Sequence, residues 1–194
     1  MKKFFMNIKT TVFNFMGRFW DNIKVDSNER RSAERMLEKI RPMSLMDCEI
    51  YLKENKFRWS KDPVNGFFDY VSEPWYTLLK KRGDCDDFAA LWVALCNEYK
   101  CVQFSVHTSD ISHRMVCFRY ENDYYIASNI DMALHIVTDD VNIKKRFGDI
   151  NTFEAAVIAA ANILYSPTKI KSIVIRDEKG YAVDVFNVVA NVTS

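Results

Sequence analysis

The residues best suited to chemistry lie in Gly83-Asp84-Cys85-Asp86-Asp87-Phe88-Ala89, in His113, and in Ser128-Asn129-Ile130-Asp131. A cysteine, an imidazole and a polar third group are the parts of nucleophilic thiol catalysis. In that reading Cys85 attacks a carbonyl, and His113 takes the thiol proton and later returns it to the leaving group. A third residue holds the ring. Ser128, Asn129 and Asp131 are the candidates for that role. The backbone N–H of Cys85 is a candidate oxyanion donor.

These groups need elements to position them. Phe88, Leu91, Trp92, Leu95 and Tyr99 recur at three and four residues, which predicts a helix from an Asp84 N-cap to about Tyr99. Gly83 is expected to supply backbone angles for the tight entry turn. Cys85 then sits at the helix N-terminus, where unpaired N–H groups and the dipole favour a thiolate. A free thiol titrates near ~8.5, and such a site lowers that by one to several units. Asp84, Asp86 and Asp87 push the other way, so Cys85 needs a base.

Beyond this helix the period becomes alternating, and 101–107, 113–120 and 123–128 read as strands. Opposed side chains on paired strands lie about 5 Å apart, so a residue in 128–131 reaches an imidazole at 113. A helix over 152–165 and a hairpin of 171–176 with 181–186 complete the chain. Earlier segments read as helices over 27–40 with Ser27 as cap, over 44–55, and from Pro74 through Leu79, with an extended piece and turn over 57–66. Helices, then strands, then a helix and a hairpin make an α+β protein.

Residues 1–26 are set apart as an amphipathic helical extension, leaving 27–194 as the main domain. Phe4, Ile8, Val12, Phe15, Phe19 and Ile23 follow a helical period, with Lys2, Lys3, Lys9, Arg18 and Lys24 interspersed. Asn7, Lys9, Thr10 and Thr11 interrupt the run of about 7–15 apolar residues that an export signal needs, and no stretch approaches the ~20 of a membrane span. Packing on the domain or in a protein assembly is favoured; the sharper reading is a basic helix lying on a membrane surface through 1–25. A net charge of +1, from 27 basic and 26 acidic residues, argues against nucleic acid as a partner. Five cysteines with no Cys-x-x-Cys pair suggest reduced thiols in a cytosol-like compartment, and a bacterial or phage source would suit them.

At these residues the chain resembles the transglutaminase-like superfamily, with its papain-like core, and looks most like the bacterial transglutaminase-like cysteine proteinases. Asp69-Tyr70-Val71-Ser72-Glu73-Pro74 is similar to that family's Asp-Tyr-Trp-x-x-Pro, and Gly83 to Ala89 to its Gly-Asp-Cys-x-Asp-Tyr/Phe-Ala. His113-Arg114-Met115-Val116 corresponds to its histidine strand. The resemblance spans roughly Ile50 to Asp131 and implies a cysteine-bearing helix packed on an antiparallel sheet, behind N-terminal helices. It implies a peptide or protein substrate and gives Cys85 and His113 the nucleophile and base positions. Two departures stand out. Ser128-Asn129 replaces the usual Asp-Asn, so the resemblance favours Asn129 as ring orienter through its amide oxygen, then Asp131, with Ser128 last. Val71 replaces a tryptophan, for which Trp75 and Trp59 are the candidate substitutes.

Blander assignments compete with these. A helical cysteine is most often a small core hydrophobe, which suits Cys48, Cys96, Cys101 and Cys117. His107 is a backup base, and His135 an ordinary polar histidine. Asp84, Asp86 and Asp87 lack the carbonyl spacing of a calcium loop, so no metal and no cofactor is expected. The sequence therefore points to a thiol acyl-transfer enzyme, a peptidase or amidase. Its alternative is a catalytically lapsed module that binds or builds.

Overall fold

The computed structural model describes residues 2–61, 70–129, 132–138 and 141–187. Helices α1 (Lys2–Lys24), α2 (Ser27–Ile40) and α3 (Leu45–Glu54) come first, then strand β1 (Arg58–Trp59) and helix α4 (Pro74–Lys80). Strand β2 (Arg82–Gly83) leads into α5 (Cys85–Leu95), which carries the candidate nucleophile. Strands β3 (Lys100–Thr108), β4 (Ser112–Tyr120), β5 (Asp123–Ala127) and β6 (Leu134–Ile136) follow. Helices α6 (Val141–Phe147) and α7 (Phe153–Leu164) precede the hairpin of β7 (Ile170–Arg176) and β8 (Ala182–Asn187).

The helix boundaries have local causes. Asp26, not the expected Ser27, caps α2 by accepting from the Asn28 N–H. Ser44 and Thr152 cap α3 and α7 in the same manner. Pro74 suits the first turn of α4, where its missing N–H costs nothing. Helix α5 stops four residues before the expected Tyr99. Cys96 leaves helical geometry at φ −105°, and the turn that follows sets Tyr99 edge-on against Phe118 of β4. The short strand β6 and helix α6 carry too few periodic residues to be read from sequence.

Strands β6-β5-β4-β3-β7-β8 pair in that order, every neighbour antiparallel, into one six-stranded sheet. Because successive side chains on a strand point to opposite faces, the sheet supports two cores. Val116, Phe118 and Ala127 pack on Leu91 and Trp92 of α5, together with side chains of α2, α3 and α4. Met115, Cys117, Ile126 and Phe104 pack on the small residues Ala156, Val157 and Ala160 of α7. This is the α+β architecture the sequence predicts, with the cysteine helix on one face of an antiparallel sheet.

Helix α1 docks in an unexpected orientation. Asn7, Asn14 and Asp21 recur every seven residues, two turns apart, and together with Gly17 they form its inward face. The Asn7 side chain accepts from the Ala182 N–H at 2.8 Å and donates to the Ala182 carbonyl at 3.3 Å, so it pairs with edge strand β8. Asn14 accepts from the Val71 N–H at 2.9 Å, and Asp21 accepts from the Tyr70 hydroxyl at 3.0 Å. Burial raises the Asp21 carboxyl pKa, opposed by its hydrogen bonds to Tyr70 and Ser72. Arg18 pairs with Glu73 at 3.1 Å. The helix thus meets the rest of the chain through polar groups rather than its apolar stripe. Ile8, Val12, Phe15, Phe19 and Ile23 are left exposed.

Gly17 marks where helix and domain meet most closely, since a Cβ there would lie 1.8 Å from a Tyr70 ring carbon. In an ordinary helix, Gly→Ala stabilises by roughly 0.5–1 kcal/mol. Here Gly17→Ala should instead push α1 off its seat. Hydrogen exchange should report faster exchange in α1, with α5 and β4 unchanged. Undiminished protection of α1 would show that the contact with Tyr70 does not hold it.

Candidate active site

The entry to α5 is built from two carboxylates and a missing side chain. Asp84 accepts from the N–H groups of Asp86 (2.9 Å) and Asp87 (3.2 Å), while Asp87 accepts from the Asp84 N–H at 3.2 Å. This reciprocal capping box satisfies N–H groups the helix cannot bond itself. The other Asp87 oxygen accepts from the Ser72 N–H at 2.8 Å and ties the segment before α4 to the cysteine turn. Gly83 is required for a different reason than expected. It is not in the left-handed region, but a Cβ on it would meet the Asp87 Cβ at 2.6 Å and a carboxylate oxygen at 2.7 Å.

Cys85 is the first residue of α5, is half-buried, and belongs to the helix that packs on β4. Its Sγ lies 3.5 Å from the Asp86 Oδ1. Burial raises the thiol well above its ordinary range, helped by the charges of Asp86 and Asp84, while the Arg114 N–H and guanidinium oppose. The helix terminus therefore does not make a thiolate unaided. Tyr165, the C-cap of α7, is pushed up to about 12, first by burial and then by the Cys85 charge.

His113 lies on β4, and its Nε2 is 3.1 Å from the Ser128 Oγ. Burial lowers its pKa, opposed by the Asp86 charge. The ring's partner is thus Ser128, the residue ranked last, and not Asn129. Asn129 is buried, and among the described residues its Oδ1 has no hydrogen-bond partner. Asp131 lies outside the described residues. The reason is register. Val116 faces Ala127 across the β4–β5 pair, and continuing that pairing puts Ser128 on the face of Met115 and His113, and Asn129 on the other. The same alternation gives His113 to the face covered by α7 and Arg114 to the face covered by α5. Among the described residues, no hydrogen bond joins the Cys85 sulfur to the His113 ring. His107, the backup base, is paired through Nδ1 with Ser112 at 2.9 Å. Trp75 belongs to the core, and Trp59 is exposed on β1.

Sequence reasoning missed the cation that pairs with the carboxylate beside the thiol. Arg114 Nη2 pairs with Asp86 Oδ2 at 2.8 Å, both side chains nearly out of solvent. Its Nε donates to Ser105 at 3.5 Å, and Nη1 is buried with no partner among the described residues. Arg176 donates to the same Ser105 and to the Gly180 carbonyl. A cavity of about 190 Å³ separates Asp86, Arg114 and Arg176 from Phe13 and Asn14 of α1. A charged residue inside an apolar strand was the available signal, since a buried arginine demands a carboxylate. Donor atoms of Asp84, Cys85 and Asp86 lie within 4.8 Å of one another. Asp84 is committed to two backbone N–H groups and Asp86 to Arg114, which leaves little donor capacity for a cation.

A scan against models of known protein families found no match, and neither did a search of curated proteins. Among solved structures, the chain is similar to Legionella pneumophila LapG in two forms. The calcium-bound form has 16% identity, covers 60% of this chain and 72% of that one, and gives a TM-score of 0.41. The EGTA-treated form has 13% identity, covers 84% of each chain, and gives 0.40. The roles of individual residues rest on the geometry of this chain.

Two measurements probe this arrangement. Asp86→Asn removes a carboxylate beside the sulfur and leaves the Arg114 charge, so the thiol pKa should fall and iodoacetamide should label Cys85 faster at pH 7. The same change should cost about 3–5 kcal/mol of stability, because a buried cation loses its partner; unchanged labelling would mean Asp86 does not govern the sulfur. Asp87 is raised from 3.8 to about 6, first by burial. A carboxyl raised on folding contributes stability that is full below pH 4 and lost as pH rises through about 6. Denaturant titrations between pH 4 and 7 should show that loss in the wild type and a flatter profile in Asp87→Asn.

Proposed function

We propose that this protein is a thiol-dependent acyl-transfer enzyme, a cysteine peptidase or amidase of the kind found among bacterial transglutaminase-like cysteine proteinases. One observation carries the reading: Cys85 opens α5, and α5 packs on Val116 and Phe118 of β4, the same strand that carries His113. The thiol pKa is raised and the imidazole pKa lowered, so the resting pair is neutral. Proton transfer must then accompany attack. Attack requires the His113 ring to come within hydrogen-bond reach of the sulfur, which it does not bond in this structure. As sulfur bonds to the substrate carbonyl carbon, His113 then takes the thiol proton, and the carbonyl oxygen gains negative charge near the Cys85 N–H. Collapse breaks the C–N bond, His113 protonates the departing amine, and water releases the acyl group by the reverse proton path. An amine in place of water would give transfer by the same steps. Ser128 can orient the ring, but unlike an aspartate it brings no charge to stabilise an imidazolium.

A second reading, a catalytically lapsed binding module on the same fold, draws on Asp86 crowding the sulfur and on the ring being bonded to Ser128. Cys85→Ala and His113→Ala separate the two. Hydrolysis of a peptide library should vanish with the first and fall about 100-fold or more with the second. Under the enzyme reading, loss of His113 also slows iodoacetamide labelling of Cys85 near neutral pH. Labelling of Cys85 no faster than that of Cys101, with no hydrolysis in the wild type, would establish the lapsed module.

A further inference from the structure

The outward face of α1 has no counterpart in the chemistry above. Phe15 is 74% exposed, Ile23 60%, Phe19 58% and Trp20 53%, and with Ile8, Val12 and Met16 they form one continuous stripe along the helix. Monomeric soluble proteins seldom leave a contiguous apolar surface of this extent uncovered. The stripe cannot turn inward, because Asn7, Asn14, Gly17 and Asp21 fix the opposite face to Ala182, Val71 and Tyr70.

Charge selects the occupant. Residues 1–25 hold five of the 27 basic residues but one of the 26 acidic ones, Asp21. Asp21 is completely buried on the inward face, so the charge this helix shows to solvent is positive. Lys9 and Lys24 are exposed, and Lys179 of the β7–β8 turn is exposed in the groove beside Phe15 and Phe19. A second copy would set like charge against like across the contact. A coiled-coil partner would call for charges of both signs along the stripe. The 23-residue helix is not long and apolar enough to cross a bilayer. We propose that α1 docks the protein onto an anionic lipid surface, lying in the interface with Phe15, Phe19, Trp20 and Ile23 among the acyl chains and Lys24 and Lys179 at the headgroups. The inward face of the same helix lines the cavity at Asp86 and Arg114, so docking would hold the Cys85 site close to the membrane plane.

Co-sedimentation of the full chain with vesicles tests this. Vesicles of phosphatidylglycerol and phosphatidylcholine should bind the protein, pure phosphatidylcholine vesicles should bind at least tenfold more weakly, and high salt should release it. Phe15→Ser with Phe19→Ser should reduce binding by about tenfold or more per side chain while leaving circular dichroism unchanged, since each large apolar group contributes roughly 1.5–3 kcal/mol. Quenching of Trp20 fluorescence by brominated acyl chains in the wild type, judged against Trp20→Phe, needs no destabilised variant. No binding to anionic vesicles, equal binding to neutral ones, an unaffected double variant, or a dimer that shields Trp20 would each overturn the proposal.

Discussion

The Asp87 carboxylate is the constraint on which the site depends. One oxygen completes the reciprocal cap with Asp84, and the other takes the N–H of Ser72. A single buried acid thereby fixes the helix start, the cysteine turn and the segment that receives α1. It fits there because Gly83 has no side chain to displace it. The strain-free route would be a neutral group, and the raised pKa reflects how little water the carboxylate keeps. Backbone N–H donors compensate in part, which is how a charge is tolerated at a helix start that is also a core.

From that fixed point the electrostatics around the sulfur follow. Asp86 projects from the next position toward Arg114, and the ion pair sits at the thiol. Its carboxylate disfavours the thiolate and its guanidinium favours it, so the sulfur responds to how tightly the pair is closed. The cavity between this pair and α1 gives an incoming group a place to alter the balance. Fold, charge and candidate chemistry are coupled through a few buried polar residues rather than through the apolar cores.

Helix α1 illustrates a different principle. Its sequence carries two periodic faces, and an apolar moment by itself says only that one of them seeks a nonaqueous neighbour. The asparagines supply what the domain lacks, a partner for the edge of β8 and for the Val71 N–H. Unpaired edge groups and a buried N–H leave strong hydrogen-bonding demands, and polar side chains on a helix meet them where leucines could not. The apolar stripe is thereby freed for the outside.

Local chemistry in the chain was legible because it acts over a few residues. The Asp84 cap, the first-turn Pro74 and the alternation of the strands are all set by neighbours in sequence, and the structure bears them out. The α+β order follows from them. Which side of β4 meets the cysteine does not, since alternation assigns two faces without saying which is which. Only the packing of α5 on Val116 and Phe118, and of α7 on Met115 and Cys117, decides that Arg114 lies toward the cysteine helix while His113 turns to Ser128. The sequence by itself put a thiol at a helix start and an imidazole on a strand; the tertiary structure decided their neighbours, because those are set by contacts between elements far apart in the chain.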